Sequence, residues 1–269
     1  MTALPRLLLL LALAAHARAD ILVEDDLGRE VRLAAPATRI LTLAPHATEM
    51  ILALGAENKL VAVARFFGYP DSLDRVPRIN TLGSLDREYL LEMNPDLVIA
   101  WRSGNRPADL QWLVRTGIPV FMSEPASLTD IAISLEKLGR LTGKTAAGKE
   151  AASAFSQGLD SACANRQTAV PVPSYFEIWA DPPMTIGGNH WLNEILERAG
   201  LHNVFADVPR NVFTVNPESL LARDIRAIIA SQPDASRPIR GVRILKASPE
   251  LGRPGPRLVD GLKQLCAQM

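Results

Sequence analysis

The sequence predicts an α/β protein of two Rossmann-like lobes joined by one long α-helix, with a ligand cleft between the lobes. Three observations predict it. Over residues 20–126, short apolar runs bounded by turn residues alternate with amphipathic stretches, the rhythm of a doubly wound sheet. The same rhythm resumes over 167–269. Between them, residues 127–166 place Ile131, Leu135, Leu138, Leu141, Ala152, Phe155 and Leu159 near helical spacing, with no strand run. This middle stretch reads as the linking helix, weakened and kinked near Gly143.

Residues 1–19 carry the marks of an export signal: Arg6 at the start, an apolar run from Leu7 to Ala15, and Ala17-Arg18-Ala19 as a small-x-small cleavage site before Asp20. The run is shorter than the roughly 20 residues a spanning helix needs. No cysteine follows the site to take a lipid. The expected product is a soluble, exported protein. Lys+Arg and Asp+Glu both number 29, and loss of Arg6 and Arg18 with the signal leaves the rest at −2. That balance gives no support to nucleic acid or an anionic membrane as partner. Cys163 and Cys266 suit an oxidising compartment, where they either pair or stay apart and buried, and neither belongs to a Cys-x-x-Cys unit.

In chain order, Ile21 to Leu33 alternates around Asp26-Leu27-Gly28 and predicts a hairpin. Arg39 to Leu43 is a strand, followed by a loop through Glu49 and a helix from Met50 to Leu54, capped by Thr48 or its neighbour and stopped at Gly55. Lys59 to Ala64, Asn94-Pro-Asp-Leu-Val-Ile-Ala100 and Gly117 to Met122 supply further strands, with helices at Asp86–Met93 and Gln111–Thr116. The second lobe has strands at Ser174–Trp179 and Ala227–Ala230 and helices at His190–Ala199, from Pro217, and at Arg257–Gln268. Asp181 to Asn189 reads as a loop, and 231–256 shows no clear pattern.

Chemistry gathers where these strands end. Ligands of open α/β sheets sit outside the carboxyl ends of strands. In the first lobe those ends carry His46, then Arg65, Phe66, Phe67 and Tyr69, then Trp101 and Arg102. The second lobe offers Trp179, Met184, Trp191 and Phe213. Aromatics are only 5% of the chain, so their concentration in loops is the signal. Each one alone is as compatible with packing as with contact; the set predicts a cleft for a large, partly apolar ligand. Catalytic patterns are missing: no Gly-x-Ser-x-Gly elbow, phosphate loop or His-Glu-x-x-His occurs. Spacing defines no metal site, although His46 or His190 could ligate a metal carried within a bound ligand.

Four segments, Ile40-Leu-Thr-Leu-Ala-Pro-His-Ala-Thr-Glu49, Tyr69-Pro70, Asn94 to Asn105 and Gly200-Leu-His-Asn-Val-Phe-Ala-Asp207, resemble the helical-backbone class of ABC-transporter substrate-binding proteins. That class carries corrinoids, ferric siderophores and haem. The segment Pro95 to Asn105 is most similar to its cobalamin-binding branch. The resemblance implies a non-enzymatic, monomeric periplasmic protein without resident cofactor, whose cargo is cobalamin or a related corrinoid. Its partners would be an inner-membrane permease and the attached ATPase. It further implies that Glu88 and Glu218, one per lobe, dock on the permease, and that Phe66 and Trp101 line the corrin. The chain departs from the branch at Leu82 and Val212-Phe213, where relatives carry Trp, and in a shortened segment after Ala230. A siderophore carrier would instead use Arg65, Arg102 and Arg210. A haem carrier would ligate iron through His46, Tyr69 or His190. A secreted hydrolase is the remote alternative.

Overall fold

The computed structural model describes residues 20–66, 68–164, 170–234, 236 and 240–269. The expected export signal and Phe67 lie outside the described residues. Strands β1 (Ile21–Glu24) and β2 (Glu30–Leu33) form the predicted antiparallel hairpin, Ile21 facing Leu33. Its turn is tied by Asp25, whose carboxylate accepts from the Leu27 and Arg29 backbone N–H groups and pairs with the Arg29 guanidinium at 2.7 Å.

The first lobe continues with β3 (Ile40–Thr42), α1 (Pro45–Ala53), β4 (Leu60–Ala64), β5 (Arg78–Ile79), α2 (Arg87–Glu92), β6 (Leu97–Trp101), α3 (Pro107–Arg115) and β7 (Val120–Ser123). Its five strands are all parallel, in the order β5-β4-β3-β6-β7. Chain order reverses between β3 and β6, which makes the carboxyl ends of those two strands the switch point. Helix α1 begins earlier than expected. Pro45 occupies its first turn, where a missing N–H costs nothing, so the predicted loop through Glu49 is already helical. Thr48 is not its cap: the N-cap is Ala44, and the Thr48 hydroxyl donates to the Ala44 carbonyl at 3.2 Å.

The predicted single linking helix is two helices, α4 (Leu128–Leu141) and α5 (Thr145–Ser161). Two local causes separate them. Gly143 takes a left-handed φ of 70°, and the Thr142 hydroxyl donates to the Leu138 carbonyl at 2.8 Å at the end of α4. The helices then pack closely. A Cβ on Gly139 would fall 2.8 Å from the Gly148 Cα, so glycine at both positions is what admits this approach. Ser127 caps α4 in a reciprocal box with Asp130.

The second lobe contains β8 (Val172–Glu177), β9 (Trp179–Ala180), β10 (Pro183–Ile186), α6 (Leu192–Arg198), β11 (Leu201–Asn203), β12 (Val212–Thr214), α7 (Pro217–Leu221), β13 (Ala227–Ala230), β14 (Arg243–Lys246) and α8 (Leu258–Ala267). A parallel sheet of order β11-β8-β13-β14 has its switch point between β8 and β13. The stretch Asp181–Asn189 is not all loop, since β10 pairs antiparallel with both β9 and β12. The unpatterned region holds β14 and a 3-10 turn at Pro249–Gly252. Among the described residues of 231–242, no helix covers the crossover from β13 to β14. Tyr175, Ile225 and Ile228 accordingly line a depression of about 290 Å³, with Leu221 standing 81% exposed at its rim. No helix among the described residues is long and apolar enough to cross a membrane.

Cys163, just beyond α5, is bonded to Cys266 in α8, with Cα atoms 5.9 Å apart. The bridge closes a sequence separation of 103 residues, and a loop of that order restricts the unfolded chain by about 4–5 kcal/mol on a chain-entropy account. Replacing both cysteines by serine should lower unfolding free energy by about 2–5 kcal/mol in denaturant titration, and reductant should do the same to the native protein only.

Candidate functional site: a cleft between two switch points

The carboxyl ends of four parallel strands converge on one cavity of about 520 Å³. Trp101 ends β6, Glu124 follows β7, Ile178 follows β8 and Ser231 follows β13, and all four line it. Phe176, Asn189, His190, Trp191, Leu192, Asn211 and Val212 complete the second lobe's wall, while Leu251, Gly252 and Pro254 close one side. Both switch points thus open into the same space.

Trp101 is held by its own loop. The Asn105 side chain accepts from the Trp101 N–H at 2.7 Å and donates to the Leu43 carbonyl at 2.9 Å. The indole lies over Gly104, where a Cβ would come within 2.0 Å of the ring, so only glycine leaves room for this pose. Beneath the indole, His46 meets it edge-on, ring centroids 5.1 Å apart. His46 is fully buried, its Nε2 3.0 Å from the Ser123 Oγ. Burial, with the nearby Arg253 charge, lowers its pKa to about 3 and keeps it neutral. It supports Trp101 and does not reach the cavity.

His190 does reach it. The Leu192 backbone N–H donates to His190 Nδ1 at 3.1 Å, so in the neutral ring Nε2 carries the proton. Burial lowers this pKa to about 4, which makes the neutral form the one present at pH 7. The imidazole therefore offers a donor, not a free lone pair, unless it surrenders the Leu192 bond. Tyr69 is likewise committed. Its hydroxyl donates to the Thr48 Oγ at 3.0 Å, and desolvation pushes its pKa up to about 12.

Of the residues singled out from sequence, Trp101, Trp191 and His190 line the cavity. Phe66 and Tyr69 stack edge-to-face at 5.4 Å beside it, with the Arg253 guanidinium 4.3 Å over Phe66. The others sit elsewhere for identifiable reasons. Arg65 is exposed beyond the end of β4, and Arg102 turns to a separate depression with Arg29 and Pro107. Arg210 is exposed on the loop before β12. Trp179 bonds its indole N–H to the Asp181 carbonyl in the β9–β10 hairpin, where Met184 is its cross-strand neighbour. Phe213 packs on Phe205 at 5.8 Å. Glu124, Ser103, Asn189 and Asn211 are cavity residues that the sequence did not single out. Glu124 had a signal, because it directly follows a strand as Trp101 ends one. Among the described residues, no group of three His, Cys, Asp or Glu side chains is arranged to hold a metal.

Glu88 and Glu218 are exposed, each in the first turn of a short helix, α2 and α7, whose N-caps are Asp86 and Asn216.

Lowering pH should destabilise the fold through the two buried imidazoles. Each has a folded pKa below its unfolded 6.5, so the unfolded chain binds more protons between those values, and stability present above pH 6.5 is lost as pH falls toward 4. At pH 5 the expected loss is about 1–2 kcal/mol per imidazole, and His190→Gln should flatten the profile of denaturant midpoint against pH. Separately, Gly104→Ala should displace the Trp101 ring, shift tryptophan emission and weaken ligand binding about tenfold, with little change in global stability.

Comparison with known proteins places this arrangement. A family model described as periplasmic binding protein matches residues 40–252. The vitamin B12-binding protein of Vibrio cholerae serotype O1 is 29% identical over 247 residues, covering 87% of this chain and 90% of the relative. The vitamin B12-binding protein of Yersinia pestis is 28% identical over 242 residues, with 87% and 86% covered. Among solved structures, the periplasmic vitamin B12 binding protein BtuF of Vibrio cholerae superposes with a TM-score of 0.75 at 28% identity, over 86% of this chain and 96% of that one. A periplasmic heme binding protein from Pseudomonas aeruginosa gives 0.74 at 26%, over 86% and 92%. The strand order, the shared cleft and a family match across most of its length make this chain a member of the periplasmic binding protein family.

Proposed function

We propose that this protein captures cobalamin or a closely related corrinoid in the periplasm and delivers it to the permease and ATPase of an inner-membrane ABC importer. One observation carries the choice of ligand: the cavity has wide apolar and aromatic walls, and among the described residues that line it there is no arginine or lysine. Ferric siderophores and haem are commonly anionic and call for cations that this lining does not supply. Haem also calls for an iron ligand, and each candidate is engaged: His46 is buried, Tyr69 bonds Thr48 and His190 holds Leu192. A corrin presents apolar faces and neutral peripheral carboxamides. Trp101, Trp191 and Phe176 suit the faces; Ser103, Asn189, Asn211 and the His190 N–H suit the amides. Burying a few hundred Å² of apolar surface contributes several kcal/mol, at about 25 cal/mol per Å², before the costs of association. The names of the vitamin B12-binding relatives support the same ligand. No bond is made or broken in this role.

Delivery is assigned to Glu88 and Glu218. Exposed carboxylates add little to stability but orient a partner and raise its on-rate. Residues 1–19 serve as the export leader, removed before Asp20.

Calorimetry on the mature protein should give one-to-one, sub-micromolar binding of cyanocobalamin and none of comparable strength with haem or a ferric hydroxamate. Tight binding of an iron compound alone would move the protein to another branch of the family. In cells that depend on this importer, replacing Glu88 and Glu218 together by alanine should abolish corrinoid uptake with affinity unchanged; a loss of affinity would assign them to ligand contact.

A further inference from the structure

Among the described residues that line the cavity, a single one carries a formal charge, the carboxylate of Glu124. Its position is built. The Ser103 backbone N–H donates to Oε2 at 2.9 Å, and the Glu124 N–H donates to the Asp26 carboxylate at 2.9 Å, so side chain and backbone are both fixed. Oε1 accepts no hydrogen bond among the described residues. Arg102 directly follows Trp101, the residue paired with Ser123, and turns away into another depression, where it does not neutralise the group. Arg253 and Arg257, on either side of Pro254 in the chain, are paired with Glu49 and Glu250. A carboxylate so placed, beside apolar walls, accepts hydrogen bonds well and repels a second anion.

We propose that Glu124 is a specificity-determining residue that accepts from a carboxamide N–H of the ligand and rejects the corresponding carboxylate. The inference rests on the corrinoid reading and adds to it a rule for which corrinoids are taken. Intact amide-bearing corrinoids bind, and those whose nearest amide has been hydrolysed to the acid are refused. The physical basis is asymmetric. An amide supplies the donor that Glu124 lacks, whereas an acid at neutral pH supplies only acceptors and a like charge.

The test compares cyanocobalamin with its separated monocarboxylic acids, each carrying one hydrolysed peripheral amide, by calorimetry at pH 7.5 on the native protein and on Glu124→Gln. At least one acid isomer should bind the native protein at least tenfold more weakly than cyanocobalamin. In Glu124→Gln, which keeps the acceptor for Ser103 but loses the charge, that isomer's deficit should shrink to less than threefold. Equal affinity of every acid isomer for the native protein would overturn the inference while leaving the corrinoid reading intact, as would an undiminished deficit in the variant. Failure of cyanocobalamin itself to bind the native protein would overturn the corrinoid reading, and the inference with it.

Discussion

Two parallel sheets can share a ligand site only if something other than the ligand holds their carboxyl ends face to face. In this protein that constraint falls on the Glu49–Arg253 ion pair. Glu49 lies on α1 in the first lobe, and Arg253 follows the 3-10 turn that closes the cleft. Their charged atoms are 3.0 Å apart, both side chains nearly buried, and Arg257 approaches the same carboxylate at 3.8 Å. Burial raises the Glu49 pKa, and the two arginines lessen that rise without cancelling it. Such a pair adds little net stability, but loss of one partner strands the other charge and costs about 3–5 kcal/mol. Its effect is positional. Arg253 also lies over Phe66, and a Cβ on Gly255 would press on His46, so this one segment braces both the aromatic shelf and the support of Trp101.

The cleft inherits its chemistry from that bracing. With Arg253 and Arg257 occupied by carboxylates of the fold, their charges are withheld from the cavity they border. The same economy fixes the histidines. Both imidazoles are neutral because they are buried, yet one supports the indole from behind while the other faces the ligand with its proton on Nε2. The sequence contains cations and ring nitrogens in quantity, yet Arg65, Arg102 and Arg210 lie outside the cavity lining, and of the imidazoles only His190 faces it, with Nδ1 engaged by Leu192.

Much of this was legible in the residues. The apolar run Leu97 to Ala100, bounded by Asn94-Pro95 and ending in Trp101, announced a buried parallel strand delivering an aromatic to a switch point, and the structure has that strand and that position. The hairpin at Ile21 to Leu33 followed from alternation alone. What periodicity could not reveal was a break in helix direction. Leu138 and Phe155 keep helical spacing across Gly143, and a turn preserves local phase while reversing the path, so two packed helices read like one. Arg65 and Arg102 misled for a related reason: a strand end fixes where a residue sits, whereas the direction of a long side chain depends on the loop behind it. Glu124 was less legible because a lone glutamate after a strand carries neither an aromatic nor a cationic signature. The disulfide lay beyond sequence reasoning altogether, since a separation of 103 residues carries no distance.

The crossover from β13 to β14 leaves part of the second lobe's outer face open. A parallel crossover normally lays a helix over the sheet it joins. Without one among the described residues, Tyr175 and Ile228 face a depression, and the buried Tyr175 hydroxyl has no hydrogen-bond partner among those residues. The inner face does not share the defect. β13 still delivers Ser231 to the cavity, β14 still pairs along its full length with β13, and α8 is anchored by Cys266 to the end of α5. The features that build the cleft are the strand ends and the Pro249–Arg257 segment, and neither depends on that outer face. The geometry of the cleft therefore depends on the sheet's registration, which is set by hydrogen bonds along β8 and β13 rather than by the layer that covers their outer face.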